Sequence, residues 1–218
     1  MYDKIQLYSL GTPNGQKISI ALEELDLAYD AHTIDIMNGD QFTPAYIKIN
    51  PNSKIPAIID PNGANGEEIS IMESGAILLH LAEKTGKLIP KDERLRSEVL
   101  QWLFFQVGGQ GPMFGQFGHF FKYGKDNCDH PYPVQRYMTE TKRILSVLEK
   151  RLEGRQYLVG EQYSIADIAM FPWVGCLDWG YEAAKILDLY SYKNVMNWYT
   201  HCSQKPASIR GAKVCSFS

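Results

Sequence analysis

A chain of 218 residues holds one large or two medium domains with ample core. Its 22 basic and 25 acidic residues leave a formal net charge of -3, which carries no nucleic-acid footprint. A hydrophobic fraction of 44% without an apolar run of roughly 18 residues offers no membrane-spanning helix.

The opening Met1-Tyr2-Asp3-Lys4 lacks the basic and apolar regions of a secretory signal, so a cytoplasmic chain is expected. Cys128, Cys176, Cys202 and Cys215 all lie in the second half without a Cys-x-x-Cys pair, and read as reduced thiols.

Ile5 to Tyr8 alternates as a first strand, and Gly11-Thr12-Pro13-Asn14-Gly15 is a turn-rich break. Ile18, Ala21, Leu22 and Leu25 recur with helical spacing, and Tyr29 to Ile34 reads as a second strand parallel to the first. Residues 35–50 hold polar sequence around Phe42, Tyr46 and Ile47, at most a short irregular helix. Ile55 to Ile59 is a third strand. The turn cluster Pro61 to Gly66 and the short strand Glu68 to Ile71 complete a hairpin. Ile77, Leu78, Leu81 and Ala82 carry a helix that stops near Gly86. Strand-helix-strand followed by strand-strand-helix is the order of a thioredoxin-like α/β domain, predicted for residues 1–86.

Residues 87–93, with Pro90, read as a linker, and residues 94–218 as an all-α domain. Leu95, Val99, Trp102, Leu103 and Val107 mark its first helix, interrupted at Gly108-Gly109. The Gly- and Phe-rich stretch from Gly115 to Tyr123 suits a bent, cavity-lining segment. Val134 to Leu148 gives the clearest amphipathic pattern. Ser164 and Asp167 form a capping box, with Tyr163 and Ile168 placed as a staple, and Pro172 is expected to bend or shorten the helix they start. Val195, Trp198 and Tyr199 suggest a last helix, and the tail after Pro206 takes no assignment.

The chemistry concentrates in two stretches, Asn52-Ser53-Lys54-Ile55-Pro56-Ala57 and Glu73-Ser74-Gly75. The first is a polar loop delivered onto a buried strand. Pro56 there is either cis, leaving the Ile55 backbone facing a ligand, or an ordinary strand-start proline. Lys54 is placed to pair with a ligand carboxylate, or is simply solvated. The second stretch starts a helix, where unpaired N–H groups favour a carboxylate. Ser74 either grips such a carboxylate, with Glu73 receiving an ammonium, or only caps the helix. Together they outline a pocket for a small, carboxylate-bearing, peptide-like molecule.

Thr12-Pro13-Asn14 occupies the loop where a thioredoxin-type redox protein carries its Cys-x-x-Cys. With no cysteine there, a dithiol route is closed. A hydroxyl, an amide and the N–H groups of a helix start remain, and these can stabilise a thiolate belonging to the ligand; the alternative is a turn without chemistry. The five histidines are scattered without metal-ligand spacing, so no metal is expected. Gly108-Gly109-Gln110-Gly111 lacks the lysine and hydroxyl of a phosphate loop, and no Gly-x-Ser-x-Gly elbow is present.

These motifs, with Tyr163-Ser164-Ile165-Ala166-Asp167-Ile168, resemble the soluble glutathione transferase superfamily over essentially the whole chain. Thr12-Pro13-Asn14-Gly15-Gln16-Lys17, Gly39-Asp40-Gln41-Phe42 and Gln101 to Gly109 are similar, more narrowly, to the bacterial nu class, related to the fungal nitrogen-regulator-like transferases. The resemblance implies a thioredoxin-like domain binding glutathione as co-substrate, an all-helical second domain and a homodimer. It implies that Ile55 pairs with the cysteinyl backbone and that Glu73 and Ser74 hold the γ-glutamyl end. Lys54 and Gln41 fall near the carboxylates, and Arg136 is a further contact. Thr12 takes the catalytic position, with Asn14 beside it, while Tyr8 lies in a strand and is not the catalytic tyrosine of the animal classes.

Nu-class members are glutathione-dependent disulfide reductases, so a disulfide-bond oxidoreductase is expected, binding reduced and oxidised glutathione and a small disulfide. Conjugation of glutathione to small electrophiles is the alternative enzymatic reading. A non-enzymatic binding or regulatory protein is the third.

Overall fold

The computed structural model describes residues 2–217. By compactness they form two units: the residues up to Lys87 together with Gln204 and those after it, and Leu88–Ser203.

The first unit opens with β1 (Ile5–Ser9), α1 (Pro13–Glu24) and β2 (Tyr29–Thr33). A 3₁₀ turn at Asp40–Phe42 and a short α2 (Pro44–Ile49) lead to β3 (Ala57–Asp60), β4 (Ile69–Met72) and α3 (Ser74–Thr85). The strands lie in the order β2-β1-β3-β4. β1 is parallel to β2 and antiparallel to β3, and β4 is antiparallel to β3. This is the thioredoxin-like arrangement expected from the sequence. α1 and α3 bury Ile18, Leu22, Ile77, Leu78 and Leu81 completely, as the sheet buries Leu7 and Ile58. Each such side chain contributes roughly 1.5–3 kcal/mol of burial. Gly86 ends α3 in the left-handed region at φ 65°, a conformation that favours glycine at a helix end.

The second unit is helical: α4 (Glu93–Phe105), α5 (Gly111–Gly118), α6 (Tyr132–Arg151), α7 (Ile165–Trp179), α8 (Ala184–Leu187) and α9 (Lys193–Ser203). A π-turn at Gln106–Gln110, which contains Gly108-Gly109, joins α4 to α5, and a second at His119–Tyr123 follows α5. The segment expected to bend is therefore helical throughout, its irregularity taken up as wider turns. α7 runs on through Pro172 to Trp179 rather than stopping there. No described helix is long and apolar enough to cross a membrane.

The tail departs from the sequence expectation of a helical domain over 94–218. α10 (Pro206–Gly211) belongs with the sheet, packed along α1. Lys205 pairs with Glu24 at 3.2 Å and Arg210 with Glu23 at 2.5 Å, while Ser19 Oγ donates to the Gly211 carbonyl at 2.8 Å. The backbones approach so closely that a Cβ on Gly211 would meet Ile20 N at 2.6 Å. Nothing in the local periodicity of so short a helix announces that docking.

Candidate active site

Strand direction brings four loops to one edge of the sheet. β1 and β2 run together, Ser9 beside Thr33, and so finish at the same end. β3 runs against β1 with Ala57 facing Tyr8, and β4 runs against β3 with Met72 facing Ala57. The end where β1, β2 and β4 finish is thus where β3 begins. Thr12 and Asn14 follow β1, and Gln41 follows β2. Lys54, Ile55 and Pro56 precede β3, and Glu73 and Ser74 follow β4.

Thr12 is the N-cap of α1, its Oγ1 accepting the Gly15 N–H at 3.2 Å. Its own N–H is already given to the Leu10 carbonyl at 2.7 Å, which removes one of the backbone donors the sequence suggested. The hydroxyl hydrogen is what Thr12 has left to offer. Asn14, half-buried, follows Pro13, which has no N–H. Gly15 holds the turn: a Cβ there would collide with the Leu10 carbonyl and come within 2.5 Å of Ser9 Oγ.

The Ile55-Pro56 peptide is cis. The loop before it is fixed from behind. The Lys54 carbonyl accepts from Tyr46 Oη at 2.6 Å and from Asn50 Nδ2 at 2.7 Å, while Asn50 Oδ1 takes the Asn52 N–H at 2.9 Å. Neither Tyr46, read from the sequence only as an apolar point in a polar stretch, nor the buried Asn50 carries a local pattern that announces this role. Ser53 stands at φ 53°. The Lys54 side chain is exposed, with no carboxylate partner among the described residues. Likewise, neither the N–H nor the C=O of Ile55 finds a backbone partner among them.

Ser74 is the first residue of α3, nearly buried, and its side chain does not cap the helix. The preceding Glu73, exposed, sits at φ 69° and ψ 116°, a conformation costing a non-glycine residue on the order of 1–3 kcal/mol. Ser74 Oγ instead accepts from Lys17 Nζ at 3.1 Å. Lys17 comes from α1, is 1% exposed, and burial lowers its ammonium to about 7, with Glu73 pulling the other way. This lysine was also missed. Its signal was its place on the helix face of Ile20 and Ala21, three and four residues on, both buried.

Gln41 donates Nε2 to the Ile36 carbonyl at 3.2 Å, and its Oε1 is buried without a partner among the described residues. It has an acceptor to spare for a ligand N–H and a second Nε2 hydrogen for a carboxylate. Tyr8 lies within β1, stacked on His32 at 4.7 Å, and burial pushes its phenol up to about 12. Arg136 belongs to the helical unit, on α6, with its guanidinium 3.8 Å from Glu140.

The four cysteines are all free thiols. Cys176 is buried, and burial pushes its thiol up to about 12, which leaves it a poor nucleophile. Among the described residues no group of three metal-ligating side chains is placed to hold an ion. What the sheet edge can do is bind a zwitterionic, peptide-like ligand and offer hydrogen-bond donors to a group at the start of α1.

Comparison with known proteins agrees on one family. The glutathione S-transferase N-terminal domain family matches residues 12–84, and the C-terminal domain family matches residues 112–206. The disulfide-bond oxidoreductase YfcG of Escherichia coli is 48% identical over 205 residues, covering 94% of this chain and 92% of that protein. A glutathione transferase family member from Pseudomonas fluorescens, crystallised with two glutathione bound, superposes with a TM-score of 0.95 at 46% identity, covering 97% and 93% of the two chains. A glutathione transferase from Pseudomonas putida, with one glutathione disulfide bound per subunit, gives 0.94 at 47% identity, covering 97% and 91%.

Proposed function

The chain belongs to the glutathione S-transferase family, and from that premise we propose that it is a glutathione-dependent disulfide-bond oxidoreductase. The observation that carries this reading is the start of α1, which presents a hydroxyl from Thr12 where a dithiol enzyme would present cysteine. Both thiols of the reaction are then glutathione's. The relatives crystallised with two glutathione molecules or with glutathione disulfide support a site of that capacity.

In this reading the Ile55 backbone pairs with the cysteinyl unit of glutathione. Ser74, through its hydroxyl and N–H, takes the γ-glutamyl carboxylate, and Glu73 takes the ammonium. Lys54 and Gln41 meet the carboxylates, and Gln41 Oε1 can also accept a ligand N–H. Thr12 and Asn14 donate to the thiolate sulfur, lowering its pKa. That thiolate attacks one sulfur of the substrate disulfide, forming a mixed disulfide and expelling the other sulfur as a thiolate, which takes up a proton. A second glutathione thiolate attacks the glutathione sulfur of the mixed disulfide, releasing the remaining substrate thiol and glutathione disulfide. Two electrons pass from two glutathione thiols to the substrate.

We also assign the chain to the nu class, to the cytoplasm and to a homodimer. Light scattering at micromolar concentration should give twice the chain mass of 24.8 kDa, and the monomer mass would reject the dimer.

The reaction class is tested by running 2-hydroxyethyl disulfide and a chlorinated nitrobenzene side by side with glutathione. The disulfide should show the higher kcat/KM. A higher value for the aryl halide would make conjugation the main activity, and no glutathione binding by titration calorimetry would favour a non-enzymatic protein.

A further inference from the structure

We infer that Lys17 is a positioning residue beneath the glutamyl subsite, setting the direction of the Ser74 hydrogen bond so that ligand binding there takes up a proton. The inference rests on the reading of Ser74 as the donor to a ligand carboxylate.

An ammonium has only N–H groups to give. When Lys17 is charged, Nζ donates to Ser74 Oγ across the observed 3.1 Å, and the Ser74 O–H hydrogen must point elsewhere, where a carboxylate can accept it. A neutral Lys17 amine carries a lone pair. It can accept the Ser74 hydrogen, and the hydroxyl then turns an oxygen lone pair toward the ligand carboxylate. A charged Lys17 therefore fixes Ser74 as a donor to the carboxylate, while a neutral one lets the hydroxyl turn its hydrogen away.

Lys17 is placed to be sensitive to such a ligand. It is shut away from solvent, so a carboxylate arriving above Ser74 is screened by little water. Glu73, at the start of α3, is the carboxylate whose field reaches it. Elsewhere along α1, Glu23 and Glu24 are held by Arg210 and Lys205 of the α10 segment. His80 and Lys84 of α3 turn to Asp60 of β3. When the ligand carboxylate takes the Ser74 O–H, Ser74 Oγ is left to accept from Lys17 Nζ across 3.1 Å, and that charge-assisted bond beside a carboxylate favours the ammonium form of Lys17. The nitrogen, which titrates near 7 in the free protein, then binds a proton drawn from the buffer. Below that pH Lys17 is charged in both states and binding moves no proton. Above it, affinity falls with rising pH until the pKa of the complex is passed.

S-methylglutathione separates this proton from the thiol's, because it has no thiol to ionise. Its binding is measured by titration calorimetry at about pH 7.5 in phosphate and in Tris, whose ionisation enthalpies differ, and the difference in apparent enthalpy gives the protons exchanged. The wild type should take up a fraction of a proton approaching one. Its Kd should rise on the order of tenfold between about pH 6.5 and 8.5. Lys17→Met should bind more weakly at the acid end with no uptake. Lys17→Arg, charged throughout, should hold a flat Kd. Binding by the wild type without proton uptake, or undiminished uptake by Lys17→Met, overturns the inference, and the wild-type measurement stands even if neither variant folds. Failure of the wild type to bind S-methylglutathione at all would remove the Ser74 reading itself.

Discussion

The starts of α7 and α3 carry the same kinds of residue, a hydroxyl and a carboxylate within a few positions, in opposite states of satisfaction, while α1 starts on a hydroxyl with no carboxylate in its first turn. At α7, Ser164 Oγ accepts the Ala166 N–H, and Asp167 returns the bond to the Ser164 N–H at 3.0 Å. The Asp167 carboxylate also accepts from Leu158 N at 2.9 Å, Ser164 Oγ at 3.1 Å and Trp198 Nε1 at 2.9 Å, all fully buried. Burial pushes its pKa up, and these donors pull it back down. At α3, Ser74 makes no cap, Glu73 is exposed on a left-handed backbone, and the hydroxyl rests on a buried lysine. At α1, Thr12 caps but keeps a hydroxyl hydrogen in reserve. A closed helix start ties a unit together, and an open one is where binding has been left to do.

The largest effect should come from breaking the closed side. Asp167→Ala strands several buried donors, each costing roughly 1–3 kcal/mol. The variant should lose more than about 3 kcal/mol of stability in denaturant unfolding. A loss under about 1 kcal/mol would mean the hub is relieved by water and the contrast between the helix starts is misplaced.

Ser74→Ala inverts the expectation. Its cost should fall on ligand affinity, about 1–3 kcal/mol for glutathione, with a stability loss smaller than that of Asp167→Ala because only the Lys17 ammonium is left short of one acceptor. An unchanged Kd would place Ser74 with Ser164 as a structural residue.

Thr12 sharpens the comparison because it belongs to both classes. Thr12→Ala removes the cap, at about 0.5–2 kcal/mol, and the donor to the thiolate. Thr12→Ser keeps both. A free thiol near pKa 8.5 is mostly protonated at neutral pH, and each unit of lowering represents about 1.4 kcal/mol. A lowered pKa is an advantage below that of the free thiol and vanishes as pH rises past it. Thr12→Ala should therefore lose more disulfide-reductase rate near pH 7 than near pH 9, and raise the bound-thiol pKa in the ultraviolet thiolate absorbance. Asn14→Ala should do the same to a smaller degree. Equal losses at both pH values in Thr12→Ala, matched by lower stability, would make the cap its whole contribution.

The sequence was most legible where a local rule acts alone. Alternation marked the first strand and an apolar run the third, the Ser164 and Asp167 spacing marked the capping box, and the Lys54-Ile55-Pro56 and Glu73-Ser74 stretches marked two loops that the sheet brings to one edge. What stayed hidden depends on partners far along the chain. Lys17 meets Ser74, Trp198 reaches Asp167, and α10 returns to α1, each across a separation that no local pattern encodes. A lysine on a helix reads as solvated until the helix is known to be covered there.

The smallest effect should follow from removing every cysteine, and it bears on the reaction more than on the fold. Cys176 and Cys202 are buried, so alanine is the safer replacement for both, and serine serves at the partly exposed Cys128 and Cys215. Cys215 is the member to watch, because its backbone carbonyl lies beside Gly11, next to the loop that carries Thr12. If that thiol attacked the disulfide, or resolved the mixed disulfide, the quadruple variant would lose turnover while still binding glutathione. If both sulfurs come from glutathione, kcat for 2-hydroxyethyl disulfide should stay within about twofold of the wild type, since no protein sulfur enters either displacement. The stability change should be confined to the two buried sites, where replacing a thiol costs roughly 0.5–3 kcal/mol each. A folded variant that binds glutathione but no longer turns over would transfer the redox role to the tail and leave Thr12 as a cap alone.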